Sequence, residues 1–117
     1  MNKSHAGARF ERKIRNLLEE NGWWVVRAAA SRGEADLIAF RKGHPPLFVQ
    51  AKRNGRLDYT EWNQLYDLCE SLGTVPVLAF QQRLPNIPKI QRLAERKGEA
   101  GNQGKRAPLE DYPFRSE

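Results

Sequence analysis

A chain of 117 residues, with 20 Lys and Arg against 14 Asp and Glu, has room for one domain with a small core. One cysteine (Cys69) excludes an intramolecular disulfide, and with only His5 and His44 beside it a structural zinc site is not expected. No apolar run reaches membrane-spanning length and Met1-Asn-Lys-Ser-His5 lacks a signal-peptide stretch, so the expectation is a soluble, cytoplasmic protein, cellular or virus-encoded.

The net charge of +6 favours a polyanionic partner. Its distribution is sharper: seven basic residues stand against two acidic ones between Arg27 and Arg56.

From Ser4 to Asn21 the spacing of Ala6, Phe10, Ile14, Leu17 and Leu18 predicts a helix, stopped by Asn21-Gly22. Glu11 falls at the edge of that apolar stripe. Trp23 to Arg27 is rich in aromatic and β-branched residues and predicts a strand. A small-residue turn, Ala28 to Gly33, leads to two further strands, Ala35 to Phe40 and Leu47 to Ala51. Pro45 and Pro46 cannot donate ladder hydrogen bonds, so they belong to the connection.

Asn54 to Asp58 predicts a loop. A helix follows, with Thr60 or Asp58 as its N-cap and Trp62, Leu65, Tyr66, Cys69 and Leu72 on one side, and Gly73 closes it. Buried among apolar neighbours, Cys69 reads as a structural thiol. Val75 to Phe80 predicts a buried strand, with Pro76 at an edge or at its start. Ile87, Ile90, Leu93 and Ala94 suggest a third helix over residues 87–97. Residues 1–97 thus form one α/β domain, a mixed β-sheet flanked by helices, and residues 98–117 form a flexible tail with little apolar content. Tyr112, Pro113 and Phe114 in that tail are free to dock on the domain or on a partner.

The chemistry concentrates in the second and third strands. Asp36 opens one and Gln50-Ala51-Lys52 closes the other, thirteen residues separating Asp36 from Gln50. In a hairpin of that length the end of the second strand returns beside the start of the first. A carboxylate, an amide oxygen and an ammonium then converge, which suits a divalent metal and an attacking water on a phosphodiester. In this reading Asp36 anchors the metal, Gln50 and the Ala51 carbonyl are further ligands, and Lys52 orients or deprotonates the water. Glu11 approaches from the first helix, directly or through water. Arg9, Arg32, Arg53 and Arg56 are the candidate phosphate contacts. Plainer readings stand beside these: Asp36 as a hydrogen-bond acceptor for the preceding turn, and Lys52 and Glu11 as solvated charges.

These residues carry a resemblance. Gly7-x-x-x-Glu11-Arg12, Val25-Val-Arg-x-Ala-x-Ser31, Asp36-Leu-Ile-Ala and Val49-Gln-Ala-Lys52 resemble the archaeal-type Holliday junction resolvases of the PD-(D/E)XK nuclease superfamily. The pattern Leu65-x-x-Leu68-x-x-x-Leu72-Gly73-x-x-Pro76-Val-Leu-Ala79 extends the likeness, which covers about residues 5 to 80. It implies a restriction-endonuclease-like fold, and it matches Glu11, Asp36, Gln50 and Lys52 to the catalytic acidic residues and lysine, with Ser31 nearby. It also implies dependence on Mg²⁺ (Mn²⁺ as substitute), a homodimer, and paired nicks in branched DNA, a four-way junction.

Gln50 departs from the pattern, because the family has Glu there. It is either native to this chain or a Glu→Gln replacement that keeps DNA binding without cutting. Two other functions remain open: a replication-repair nuclease of the same superfamily acting on flaps or nicked duplex, which the Gly55-Arg-Leu57 loop also suits, and a binding module that has lost its chemistry.

Overall fold

The computed structural model describes residues 5–28, 35–81, 88–97 and 105–108. Two helices and six strands follow in the order α1 (His5–Glu20), β1 (Trp24–Arg27), β2 (Leu37–Phe40), β3 (Leu47–Ala51), α2 (Tyr59–Leu72), β4 (Val75–Gln81), β5 (Pro88–Glu95) and β6 (Lys105–Pro108). All six strands join one sheet in sequence order. The β3–β4 pair is parallel, bridged by α2, and every other pair is antiparallel. The expected mixed sheet flanked by helices is what forms.

Strand alternation assigns each residue to one of two cores. On one face Phe10, Ile14 and Leu18 of α1 pack on Val25, Leu37, Ala39, Leu47, Val49, Val77 and Ala79. On the other, Trp62, Leu65 and Cys69 of α2 pack with Leu57, Leu78 and Leu93, and Phe48 and Phe80 border them. Burial pushes the Cys69 thiol pKa up, so it stays protonated as a small apolar filler.

The second helix starts where Asp58 accepts a hydrogen bond from Glu61 N–H at 2.8 Å. Asp58 is thus the N-cap, and Gly73 ends the helix in the left-handed conformation at φ 69°. In β4, Pro76 pairs with Phe48 of β3, whereas the β5 pairing begins at Val77, so the proline occupies the start of the strand.

Two expectations are corrected beyond Phe80. The region expected as a helix over residues 87–97 is strand β5. Ile90 enters the α1 core and Leu93 the α2 core, so a three-residue spacing that mimics one helix face here serves both faces of a covered sheet. Within the tail expected to be flexible, Lys105–Pro108 pairs with β5 as an edge strand, across an irregularity between Leu93 and Glu95. Its backbone pairing, and not apolar content, holds it there. The tail residues Tyr112, Pro113 and Phe114 lie outside the described residues.

Candidate active site

The register of the β2–β3 hairpin builds the site. Leu37 pairs with Val49 and Ile38 with Phe48, which sets Asp36 beside Gln50 at the open end of the hairpin. Asp36 N–H donates to Val49 O at 2.8 Å, and its carboxylate Oδ2 accepts from Ala51 N–H at 2.9 Å. The acceptor role therefore exists with the partner strand as a donor, and the Ser31 to Gly33 turn lies outside the described residues. This bond fixes the carboxylate against the Gln50-Ala51-Lys52 backbone.

Gln50 is buried at 4% exposure. It pairs with Leu78 of β4 and so faces the α2 side of the sheet. Lys52 follows on the same side. Its N–H continues the ladder to Ala79 O at 2.9 Å, and its Nζ lies 3.0 Å from Glu61 Oε2 in the first turn of α2. Glu61 was not singled out in the sequence, although Asp58-x-x-Glu61 is the spacing of an N-terminal capping pair and would have located it at the helix start.

Glu11 is buried at 8% exposure on the α1 side. Its Oε2 accepts from Arg27 Nε at 2.9 Å, and Arg27 pairs with Leu37, the neighbour of Asp36. Glu11 thus reaches the strand next to the site with its carboxylate engaged by a guanidinium. Ser31 and Arg32 lie outside the described residues.

The basic belt divides. Arg53 and Arg56 are exposed on the loop after Lys52. Arg9 is exposed on α1, where it lines a recess with Arg12, Lys13 and Asn16. Arg41 and Lys42 lie at the closed end of the hairpin, one strand length or about 15 Å from Lys52 at ~3.3 Å per residue. Arg41 stacks there on Trp23 at 4.8 Å and contacts His44 at 2.8 Å.

The loop between Lys52 and α2 is held from several sides. Gly55 N–H donates to Lys52 O at 2.8 Å. Arg106 Nη2 donates to Gly55 O and Lys97 Nζ to Leu57 O, each at 2.9 Å. Both cations lie over Trp62, whose Nε1 donates to Glu95 O at 2.7 Å. None of these contacts was legible from spacing.

Among the described residues no three Asp, Glu, His or Cys side chains converge as a metal cluster. The register sets the Asp36 carboxylate beside the Gln50-Ala51 segment, whose amide and backbone carbonyl are, like the carboxylate, hard-oxygen donors. That set fits Mg²⁺, which binds through one or two carboxylates and keeps several waters.

An α/β sheet with an acid–amide–lysine end on a central hairpin defines the class of site, and the comparisons give the family. The model for the archaeal Holliday junction resolvases (Hjc) matches residues 2–98, and the chain belongs to that family. The crossover junction endodeoxyribonuclease Hjc of Methanocaldococcus jannaschii is 35% identical over 82 residues, which are 68% of this chain and 61% of that protein. The chain therefore aligns with under two thirds of that relative's length. The 1.6 Å structure of Hjc from the hyperthermophile Archaeoglobus fulgidus, a Holliday junction resolvase, shares the fold with a TM-score of 0.62 at 20% identity, over 80% of each chain.

Gly55 gives the loop a direct test. Its φ is 74°, and a Cβ there would meet Phe80 Cδ2 at 3.1 Å. Gly55→Ala should lower stability by about 1–3 kcal/mol in urea unfolding, since left-handed strain and the Phe80 contact add. Gly43→Ala, with no atom within 4 Å, should show the strain alone and cost less.

Proposed function

We propose that this chain is an endonuclease that cuts four-way DNA junctions by metal-dependent hydrolysis. The observation that carries the proposal is the hairpin register that sets the Asp36 carboxylate against Gln50-Ala51-Lys52, in a chain of the resolvase family. Resolvase nucleases of this kind are generally metal-dependent. The specific ion proposed is Mg²⁺, with Mn²⁺ as its substitute.

Asp36, Gln50 and the Ala51 carbonyl are the proposed ligands. Bound there, the ion would acidify a water and neutralise charge on the phosphate oxygens. Lys52 orients that water and faces the scissile phosphate. Glu11 contributes through water from the α1 side while Arg27 holds its carboxylate. Ser31 keeps the place near the site that the family resemblance gives it, and Arg32 remains a candidate phosphate contact beside it. Arg9, Arg53 and Arg56 contact phosphates on separate stretches of DNA, so binding is salt-sensitive and weakly dependent on sequence. No described helix is long and apolar enough to cross a membrane.

Nicking two opposed strands of a symmetric junction calls for two sites, and we propose a homodimer. Support comes from the face of β1 and β2 turned away from α1. Trp24 is 81% exposed, Val26 49% and Phe40 43%, and Trp24 pairs with Phe40 across the two strands. The second helix packs on β4 and β5 and leaves this apolar strip open.

A labelled four-way junction, assayed beside duplex, flap and single-stranded DNA with and without Mg²⁺, tests the function. Symmetric paired nicks confined to the junction support it. A preference for flaps would point to a repair nuclease instead, and binding without cutting to a module whose chemistry ended with Gln50. Asp36→Asn should reduce cleavage by about a hundredfold or more while junction affinity stays within about threefold, because the lost charge holds metal and not DNA. Gln50→Glu should shift the Mg²⁺ titration of cleavage to lower concentration; an unmoved titration would remove Gln50 from the ligand set. Trp24→Lys should shift a dimer towards monomer in analytical ultracentrifugation, with the fold intact by circular dichroism.

A further inference from the structure

The end of β3 carries one ammonium and, at Gln50, no charge to partner it. A partner comes from another element: Glu61 Oε2 lies 3.0 Å from Lys52 Nζ, with both side chains one-third exposed. This pairing is built into the backbone. The Glu61 N–H donates to the N-cap Asp58, which fixes the first turn of α2. The loop between the two charges is closed by Gly55 N–H on Lys52 O and pinned through Gly55 O by Arg106 and through Leu57 O by Lys97. Helix start and strand end are thus held at a set separation, and the two side chains span it.

We infer that Glu61 is a positioning residue, whose carboxylate holds the Lys52 ammonium at the catalytic end of β3 and supplies there the negative charge that Gln50 lacks. The inference rests on the nuclease reading. It makes the acid of the second strand and the acid of the helix alternatives for one task. With a carboxylate at position 50, on the same face as Lys52, the ammonium would have a partner on its own strand, and Glu61 would become dispensable. With Gln50 it is required.

The test is a double-mutant cycle on the full chain, reading single-turnover cleavage of a four-way junction at saturating protein and Mg²⁺. Glu61→Gln should slow cleavage about ten- to a hundredfold, with junction affinity and melting temperature nearly unchanged, because a misplaced catalytic group costs rate and not binding. In the Gln50→Glu background the same change should cost less than about threefold. Equal losses in both backgrounds, or no loss in the first, would overturn the inference. A loss that tracks the melting temperature would do the same, since it would mark a purely structural glutamate. Side-chain NMR of Lys52 gives a readout independent of cutting: the ε-methylene should be ordered in the parent chain and mobile in Glu61→Gln. If no variant cuts any DNA, the nuclease reading fails, and this measurement alone decides whether Glu61 positions Lys52.

Discussion

The hydrogen bond from Ala51 N–H to Asp36 Oδ2, 2.9 Å long, joins two levels of this structure. It extends the β2–β3 ladder by one side-chain step past the last paired residues, and it aims a carboxylate at the end of the sheet. Slipping the hairpin by one residue would turn Leu37, Ala39, Leu47 and Val49 out of the α1 core, so the core enforces the register. The same register sets Asp36 beside Gln50. The Asp36–Gln50 juxtaposition thus needs no positioning element of its own: burying four apolar side chains is enough to set it.

Each charged group at the site is engaged by a different element. Glu11 of α1 meets Arg27 of β1, Asp36 meets the β3 backbone, and Lys52 meets Glu61 of α2. A partly exposed pair such as Lys52–Glu61 contributes little to stability, about 0–1 kcal/mol. The effect of the two ion pairs here is geometric. They tie α1 to the end of β1 and α2 to the end of β3, one helix on each face of the sheet. A basic surface around such an end attracts DNA without fixing which charges act. Arg41 and Lys42, close to Lys52 in the count of basic residues, are carried a strand length away by the hairpin.

Much of this was legible in the sequence. Both helices follow from three- and four-residue apolar spacing, β3 from its apolar start at Leu47-Phe48-Val49, and the convergence of Asp36 with Gln50 from loop length alone. The rest was hidden for identifiable reasons. Strand β5 feeds both cores, so Ile90 and Leu93 break the period of two that marks a half-exposed strand. Strand β6, Lys105–Pro108, has almost nothing apolar to show, and its proline suits an edge. The Lys52–Glu61 and Glu11–Arg27 pairs depend on how helices dock on a sheet. Spacing within one element carries no information about that.

Arg106 shows how far the site's support extends. It lies beyond residues 2–98, the span matched by the resolvase family, yet its guanidinium donates to Gly55 O and lies 5.2 Å over Phe80. Phe80 is the residue that a side chain at position 55 would strike. The Asp36–Lys52 hairpin and this C-terminal strand therefore meet on one loop, the six residues that separate Lys52 from helix α2. A loop held only at its ends would let Lys52 and Glu61 drift apart, because their pairing alone is too weak to order it. Held at Gly55 by an edge strand and at Leu57 by Lys97, it gives the weak ion pair a fixed distance to span. Arg106 thereby helps set the geometry of the Lys52–Glu61 pair through the loop that joins them.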